Sequence, residues 1–263
     1  MRVVIVDDAE AAACRAAQEI AALVRQKPDA VLGLATGGTP VRCYRELIRL
    51  HQHDGLDFAA VRSFNLDEYL GLPADHPQSY RRFMQENLFD HLNIPCEQTH
   101  VPDGMASDID AFCQQYEQQI QAAGGIDLQL LGIGSDGHIA FNEPGSSLAS
   151  RTRLKSLAAE TVRDNARFFG SEADVPKLAI TMGVGTIMES KQCLLLATGA
   201  NKATAVREAI EGAVTARVTA SALQMHPHTI AVLDAPAAAQ LEFADYYREA
   251  ERLNESVRNT PAH

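Results

Sequence analysis

The chain has no tryptophan, few aromatic residues of any kind, no excess of basic side chains, no paired cysteines and no long apolar run. Each shortage excludes something. No stretch approaches the ~18 consecutive apolar residues of a membrane-spanning helix. The opening MRVVIVDDAE runs into two aspartates after VVIV, too soon for the core of a secretion signal. The expected compartment is therefore the cytoplasm. Lysine and arginine number 23 against 34 aspartates and glutamates, a formal net charge of −11. A surface of that sign disfavours nucleic acid and anionic membrane as partners, because both demand a basic face. A small anion in a local basic pocket is still compatible with it. Cys14, Cys43, Cys96, Cys113 and Cys193 are odd in number and scattered, with no C-x-x-C pair or Cys/His cluster, so neither a disulfide framework nor a structural zinc is indicated.

What is present is ordinary for a globular enzyme: 46% hydrophobic and 22% charged residues in 263 positions. Strand-like and helix-like stretches alternate. VVIV precedes AEAAACRAAQEIAALVRQ, AVLGLA precedes PVRCYRELIRLH, and VRSFNL precedes SYRRFMQENLFDHL. The second half continues with DIDAFCQQYEQQIQAAGG, IDLQLLGIG, KLAITMG, QCLLLATG, NKATAVREAIEG, TIAVLD and a closing helix from about Pro236. Such alternation builds β-α-β units around a parallel sheet. No repeat, linker or low-complexity tract divides the chain. Residues 157–177, LAAETVRDNARFFGSEADVPK, break the pattern. They are polar, mixed in charge and interrupted by Gly170 and Pro176, which suits either a mobile lid or an exposed helix and loop.

Ligands of an open α/β sheet gather at the carboxyl ends of its strands, so three strand ends deserve scrutiny. At GLATGGTPVRCYREL, Thr36, Gly37, Gly38 and Thr39 lie between a buried strand and a helix, with Pro40 at its expected first position. Glycine amides, threonine hydroxyls and a helix N-terminus together suit a phosphate, and equally a tight glycine turn that caps a helix. Gly33 and Gly38 echo a Walker loop without its lysine, so nucleoside triphosphate is not indicated. At SFNLDEYLGLP, the adjacent carboxylates Asp67 and Glu68 suit a general base, a solvated turn or the negative charge of a helix N-terminus. The third end, GIGSDGHIAFNEP, contains G-x-G-x-x-G, yet Pro144 and Gly145 arrive too soon for the helix a dinucleotide site needs. An acid–base reading fits better: His138 exchanges protons near neutral pH, and Asp136 or Glu143 can hold its tautomer.

The segments GLATGGTP, FNLDEYLGLP, HPQSY, GIGSDGHIAFNEPGSSLASRTR and TMGVGT together resemble the glucosamine-6-phosphate deaminase family over nearly the whole chain. The resemblance implies a single α/β domain spanning 1–263, with a Rossmann-like parallel sheet, helices on both faces and a lid at about 157–177. It implies no cofactor and no metal, and conversion of glucosamine 6-phosphate and water to fructose 6-phosphate and ammonia. By position in the motifs, Asp67 matches the base that moves a proton between C2 and C1. Asp136, His138 and Glu143 match the ring-opening residues. Arg167 and Lys202 match the phosphate-binding cations, with the 36–39 loop adding donors.

Members of the family include hexamers activated by N-acetylglucosamine 6-phosphate, so a homo-oligomer, with a hexamer as one form, is expected. Ser146, Arg153 and Lys155 match the activator site, while the tyrosine that completes it aligns with Arg248, just after Tyr246 and Tyr247. The alternatives are a galactosamine-6-phosphate deaminase, a 6-phosphogluconolactonase, for which Asp67 would have no use, and a sugar-phosphate sensor domain, whose basic DNA-binding segment this acidic chain does not show.

Overall fold

The computed structural model describes residues 1–258. In chain order the elements are β1 (Arg2–Val6), α1 (Ala9–Gln26), β2 (Val31–Leu34), α2 (Gly38–Asp54), β3 (Arg62–Asn65), β4 (Asp67–Tyr69), α3 (Tyr80–Asn87), β5 (Thr99–His100) and α4 (Ile109–Ala122). They continue with β6 (Leu128–Leu131), β7 (Arg153–Ser156), α5 (Ala159–Asn165), β8 (Leu178–Thr181), α6 (Val184–Met188), β9 (Cys193–Ala197), α7 (Ala203–Ile210), β10 (Thr229–Asp234) and α8 (Ala244–Arg258).

Seven strands form one sheet in the order β1-β10-β9-β6-β2-β3-β5, and every pairing in it is parallel. The reason lies in the apolar runs. β2, β6, β9 and β10 are buried at every position, so both faces of each strand need cover. Successive residues point to opposite faces. Leu194 and Leu196 pack with Ile20 of α1 and Leu47 of α2, whereas Leu195 and Ala197 pack with Ile120 of α4 and Val206 of α7. Helices thus cover both faces, as the alternating pattern predicts.

Local chemistry sets the helix ends. Asp8 caps α1 through the amide of Ala11, and Gly55 closes α2 in the left-handed conformation. Two ends differ from expectation. α2 starts at Gly38, which puts Pro40 inside the first turn, where a missing N–H is harmless. α8 starts at Ala244 and not near Pro236, because residues 235–240 turn after β10 and the Glu211 carboxylate accepts the amides of Glu242 and Phe243 just before the helix.

A second sheet, β4-β8-β7, is antiparallel. KLAITMG, expected in the parallel series, instead pairs with Asp67–Tyr69 and Arg153–Ser156. This small sheet stands beside the carboxyl ends of the main one and presents Asp67 there.

Candidate active site

From β2 the chain moves outward through β3 and β5, then returns to place β6 on the other side of β2. The connections after β2 and β6 therefore diverge, and a crevice opens between them. A cavity of about 550 Å³ occupies it, lined by the ends of β2, β3, β6 and β9 and by residues 161–167. Asp67, His138, Thr36, Gly37, Gly38, Thr39, Arg167 and Lys202 all line it. One pocket thus gathers residues drawn from all three suspected strand ends.

The loop after β6 is shaped around its histidine. The amide of Gly134 donates to the carbonyl of His138, and a Cβ at Gly134 would sit 2.4 Å from the imidazole. Only glycine leaves that space. His138 Nδ1 lies 2.7 Å from Asp136 Oδ1 and 3.8 Å from Glu143 Oε2, and Asp136 Oδ1 also accepts the His138 amide. Burial pushes the Asp136 carboxyl up, but its contacts with His138 outweigh this and hold it below the usual range. Glu143 Oε1 accepts the amide of Ala158, where α5 begins. The donor atoms of the three side chains lie within 4.8 Å of one another, a spacing that also suits a metal ion.

The adjacent acids on β4 diverge. Glu68 turns inward and accepts from the amides of Tyr69, Tyr80 and Arg81 and from Ser79 Oγ, so it serves the N-terminus of α3. That is the helix-charge reading of the DEY triplet, and it belongs to Glu68. Asp67, 6% exposed, faces the cavity. Burial, with Glu68 beside it, pushes its carboxyl up to about 8.

At the other end of the cavity, Gly37 precedes α2 with φ +107 and gives the helix no side-chain cap. The first amides of α2 are left for a ligand, the arrangement that favours an anion. Burial pulls the Lys202 ammonium down, while Asp164 and Asp136 push it the other way. Arg167 stacks on Phe168 with its guanidinium 4.6 Å from the ring centroid. Within 157–177 the structure forms α5 and two short 3-10 turns, seated by Phe169 on Tyr69 and by Ser135 Oγ donating to Asp164.

Ser146, Arg153 and Lys155 are outside this cavity lining. Ser146 is buried with its hydroxyl unpaired. Arg153, on β7, donates to Asn142 Oδ1 and the Arg151 carbonyl, and burial lowers its guanidinium. Lys155 lies two residues further along the same strand.

Some contributors went unread in the sequence. Tyr80, Thr198, Asn201, Asp164 and Arg42 also line the cavity. Buried Asp234, at the end of TIAVLD, accepts the Gly199 amide at 3.0 and 2.9 Å and so fixes the turn that leads to Lys202. The available signal was an acidic residue ending a buried strand, the same signal that marks Asp67.

The chain is similar to known proteins over most of its length. The model of the family described as glucosamine-6-phosphate isomerases/6-phosphogluconolactonase matches residues 7–232. A glucosamine-6-phosphate deaminase of Arthrobacter sp. (strain FB24) is 57% identical over 248 residues, 94% of this chain and 95% of that protein. One from Hahella chejuensis (strain KCTC 2396) is 54% identical with the same coverage. A solved structure of a monomeric glucosamine-6-phosphate deaminase superposes with a TM-score of 0.90 at 46% identity, covering 91% of this chain and 100% of that one. The 6-phosphogluconolactonase of Trypanosoma brucei, at 24% identity and a TM-score of 0.71 over 91% of this chain and 98% of that one, shares the fold.

Proposed function

This chain belongs to the glucosamine-6-phosphate isomerase/6-phosphogluconolactonase family, and from that premise we infer that it converts glucosamine 6-phosphate and water to fructose 6-phosphate and ammonia. The observation that carries the reading is one cavity holding a carboxylate without a hydrogen-bond or ion-pair partner among the described residues, a carboxylate-held histidine and an uncapped helix N-terminus beside two cations. The deaminase reading is favoured over the lactonase one because relatives at 51–57% identity are deaminases, while the lactonases, at 19–24%, share the fold alone. A lactonase would also leave Asp67 without a task.

The residues divide the work as follows. Thr36 to Thr39, Arg167 and Lys202 hold the 6-phosphate. His138, held by Asp136 and Glu143, takes the proton of the anomeric hydroxyl and returns it to the ring oxygen, opening the pyranose. Asp67 then removes the C2 proton and delivers it to C1 while a proton from the amino nitrogen passes to O1, so the aldose becomes a 2-imino ketose. Water adds to the imine carbon and ammonia leaves. The reading invokes neither metal nor redox cofactor.

Residues 157–177 act as the lid over the phosphate. Through the Ala158 contact of Glu143 the lid is coupled to ring opening. Ser146, with its unpaired hydroxyl, Arg153, which has no carboxylate partner among the described residues, and Lys155 suit an anionic effector of the kind that activates oligomeric members. The homo-oligomer expected from the resemblance belongs with that effector site, although the solved relative at 46% identity is described as monomeric.

The phosphate requirement tests the core of the reading. Glucosamine should be turned over with a kcat/KM at least ~10²-fold below that of its 6-phosphate, and Lys202→Ala should narrow the gap, since charge-assisted bonds of this kind are worth about 1.5–3 kcal/mol each. Equal kcat/KM for the two sugars would overturn it. Assaying galactosamine 6-phosphate in parallel settles the configuration at C4.

A further inference from the structure

Arginine or lysine side chains line the cavity at three described positions, and the sequence motifs point to only two of them, Arg167 and Lys202. The third is Arg42, on α2. Its guanidinium makes no hydrogen bond with any described residue, and its one ion-pair partner among them is Glu10, in the first turn of α1, at 3.8 Å. Both side chains are half or more exposed, so the pair is weak. Arg49 and Arg82 are about as exposed, yet each settles on a carboxylate at hydrogen-bond distance, Glu46 at 2.8 Å and Glu86 at 2.7 Å. Arg42 is held loosely by comparison.

Its place on the helix says where that charge can go. Arg42 follows Gly38, the first residue of α2, by four positions and Thr39 by three. Residues at those spacings share one face of a helix, and a helical side chain leans toward the N-terminus over the turn before it. The rise from Gly38 to Arg42 is about 6 Å, which an extended arginine spans. The way is open, because a Cβ built at Gly37 or Gly38 would meet no atom within 4 Å. The glycine turn thus leads Arg42 to the same uncapped amides that face the cavity. A phosphate seated there would gain from Arg42 what the amides lack, a full positive charge on a planar fork of donors. A chain of net charge −11, with Asp67 and Asp164 in the cavity wall, otherwise repels a phosphate dianion.

We propose that Arg42 is a third cation for the 6-phosphate, and that it exchanges Glu10 for the phosphate as substrate enters. The proposal rests on the sugar-phosphate reading above. The phosphate keeps its charge throughout the reaction, so the contact counts equally in the ground state and the transition state. Arg42 therefore sets KM and leaves kcat alone.

Arg42→Gln should raise KM for glucosamine 6-phosphate about 5–20-fold at about 0.05 M salt, with kcat within about twofold; the loss is smaller than for a buried charged hydrogen bond because the site is open to water. Raising the salt to about 0.5 M should shrink the difference below about threefold. Arg42→Lys, which keeps the charge, should stay within about threefold of the unaltered protein. Glu10→Gln should lower KM about twofold by freeing Arg42, and should do nothing in the Arg42→Gln background. Arg25→Gln removes the same charge from the last turn of α1, at the opposite end of that helix from Glu10, and should leave KM unchanged. Calorimetry with glucitol 6-phosphate, an unreactive polyol, should return the KM factor of Arg42→Gln as a loss of affinity. The proposal is overturned by an unchanged KM in Arg42→Gln, an equal rise in Arg25→Gln, a loss that falls on kcat or ignores salt, or a Glu10→Gln effect that persists without Arg42. Each of those results leaves the sugar-phosphate reading intact, because the unaltered protein still binds the polyol and turns over the substrate. If the unaltered protein does neither, both fall.

Discussion

Asp67 and Asp136 serve one cavity from opposite surroundings, Asp67 lining it directly and Asp136 acting behind His138, which does. Asp136 sits on a glycine-rich turn against His138, a quarter or less exposed, and its charge is stabilised by that ring. Asp67 sits on a short strand among phenols and a second carboxylate, and its charge is penalised. The difference separates two duties. A carboxylate held ionised orients a base and steadies its cation; a carboxylate held reluctant to ionise is itself a strong base once substrate arrives.

Removing the reluctant carboxylate should give the largest effect. Asp67→Asn is expected to lower kcat about 10²–10⁴-fold, the usual share of a general base. The loss should be the same for a closed pyranose and an already open-chain substrate analogue, because both still need the C2 proton removed. Near-normal turnover in this variant, with C2 hydrogen still exchanging into solvent, would take the base role from Asp67.

His138→Gln should break the other half. For the pyranose we expect a loss of about 10²-fold or more, and for the open-chain analogue a loss under about tenfold, since His138 moves protons only between the anomeric and ring oxygens. Equal losses on the two substrates would place His138 in isomerisation or in mere support of the loop, and the division between the two carboxylates would fail.

That division was only half legible in the sequence. GIGSDGHIAFNEP announced its chemistry because the histidine and its carboxylates are close in sequence and a proline forbids the helix that a dinucleotide site would require. The long elements were legible for the same local reason. α1 ends where the apolar period of AEAAACRAAQEIAALVRQ ends, and TIAVLD is β10 residue for residue. The second sheet was not legible. β4 and β7 are three and four residues long, their partner β8 reads like any buried strand, and what makes them a sheet is pairing across more than 100 residues for Asp67 with Thr181. For the same reason the DEY triplet could not show which acid faces the cavity: Glu68 is claimed by Ser79, Tyr80 and Arg81 only once α3 folds against it.

The smallest effect is on stability, and it has opposite signs at the two sites. A carboxyl whose folded-state value is raised binds a proton more tightly in the native chain than in the unfolded one. Between about pH 4 and 8, therefore, Asp67 progressively destabilises the fold as pH rises, and its native environment is free of that penalty only in acid. Asp136 is lowered, so its contribution is present above the unfolded value and is lost as pH falls. Asp67→Asn should therefore melt at a higher temperature than the unaltered protein at pH 8, with the gain vanishing near pH 4, where both side chains are neutral. Full linkage would set the gain near ~5 kcal/mol, but water reaching the carboxylate through the cavity reduces it, and we expect about 1–3 kcal/mol, a rise of several degrees. Asp136→Asn should melt lower at pH 8 and approach the unaltered protein as the pH drops. Thermal melts of the three proteins at pH 4.5 and 8 decide the matter: a variant at Asp67 that is no more stable at pH 8 would mean that the carboxylate finds compensation in the empty site, and the contrast with Asp136 would then be one of position alone.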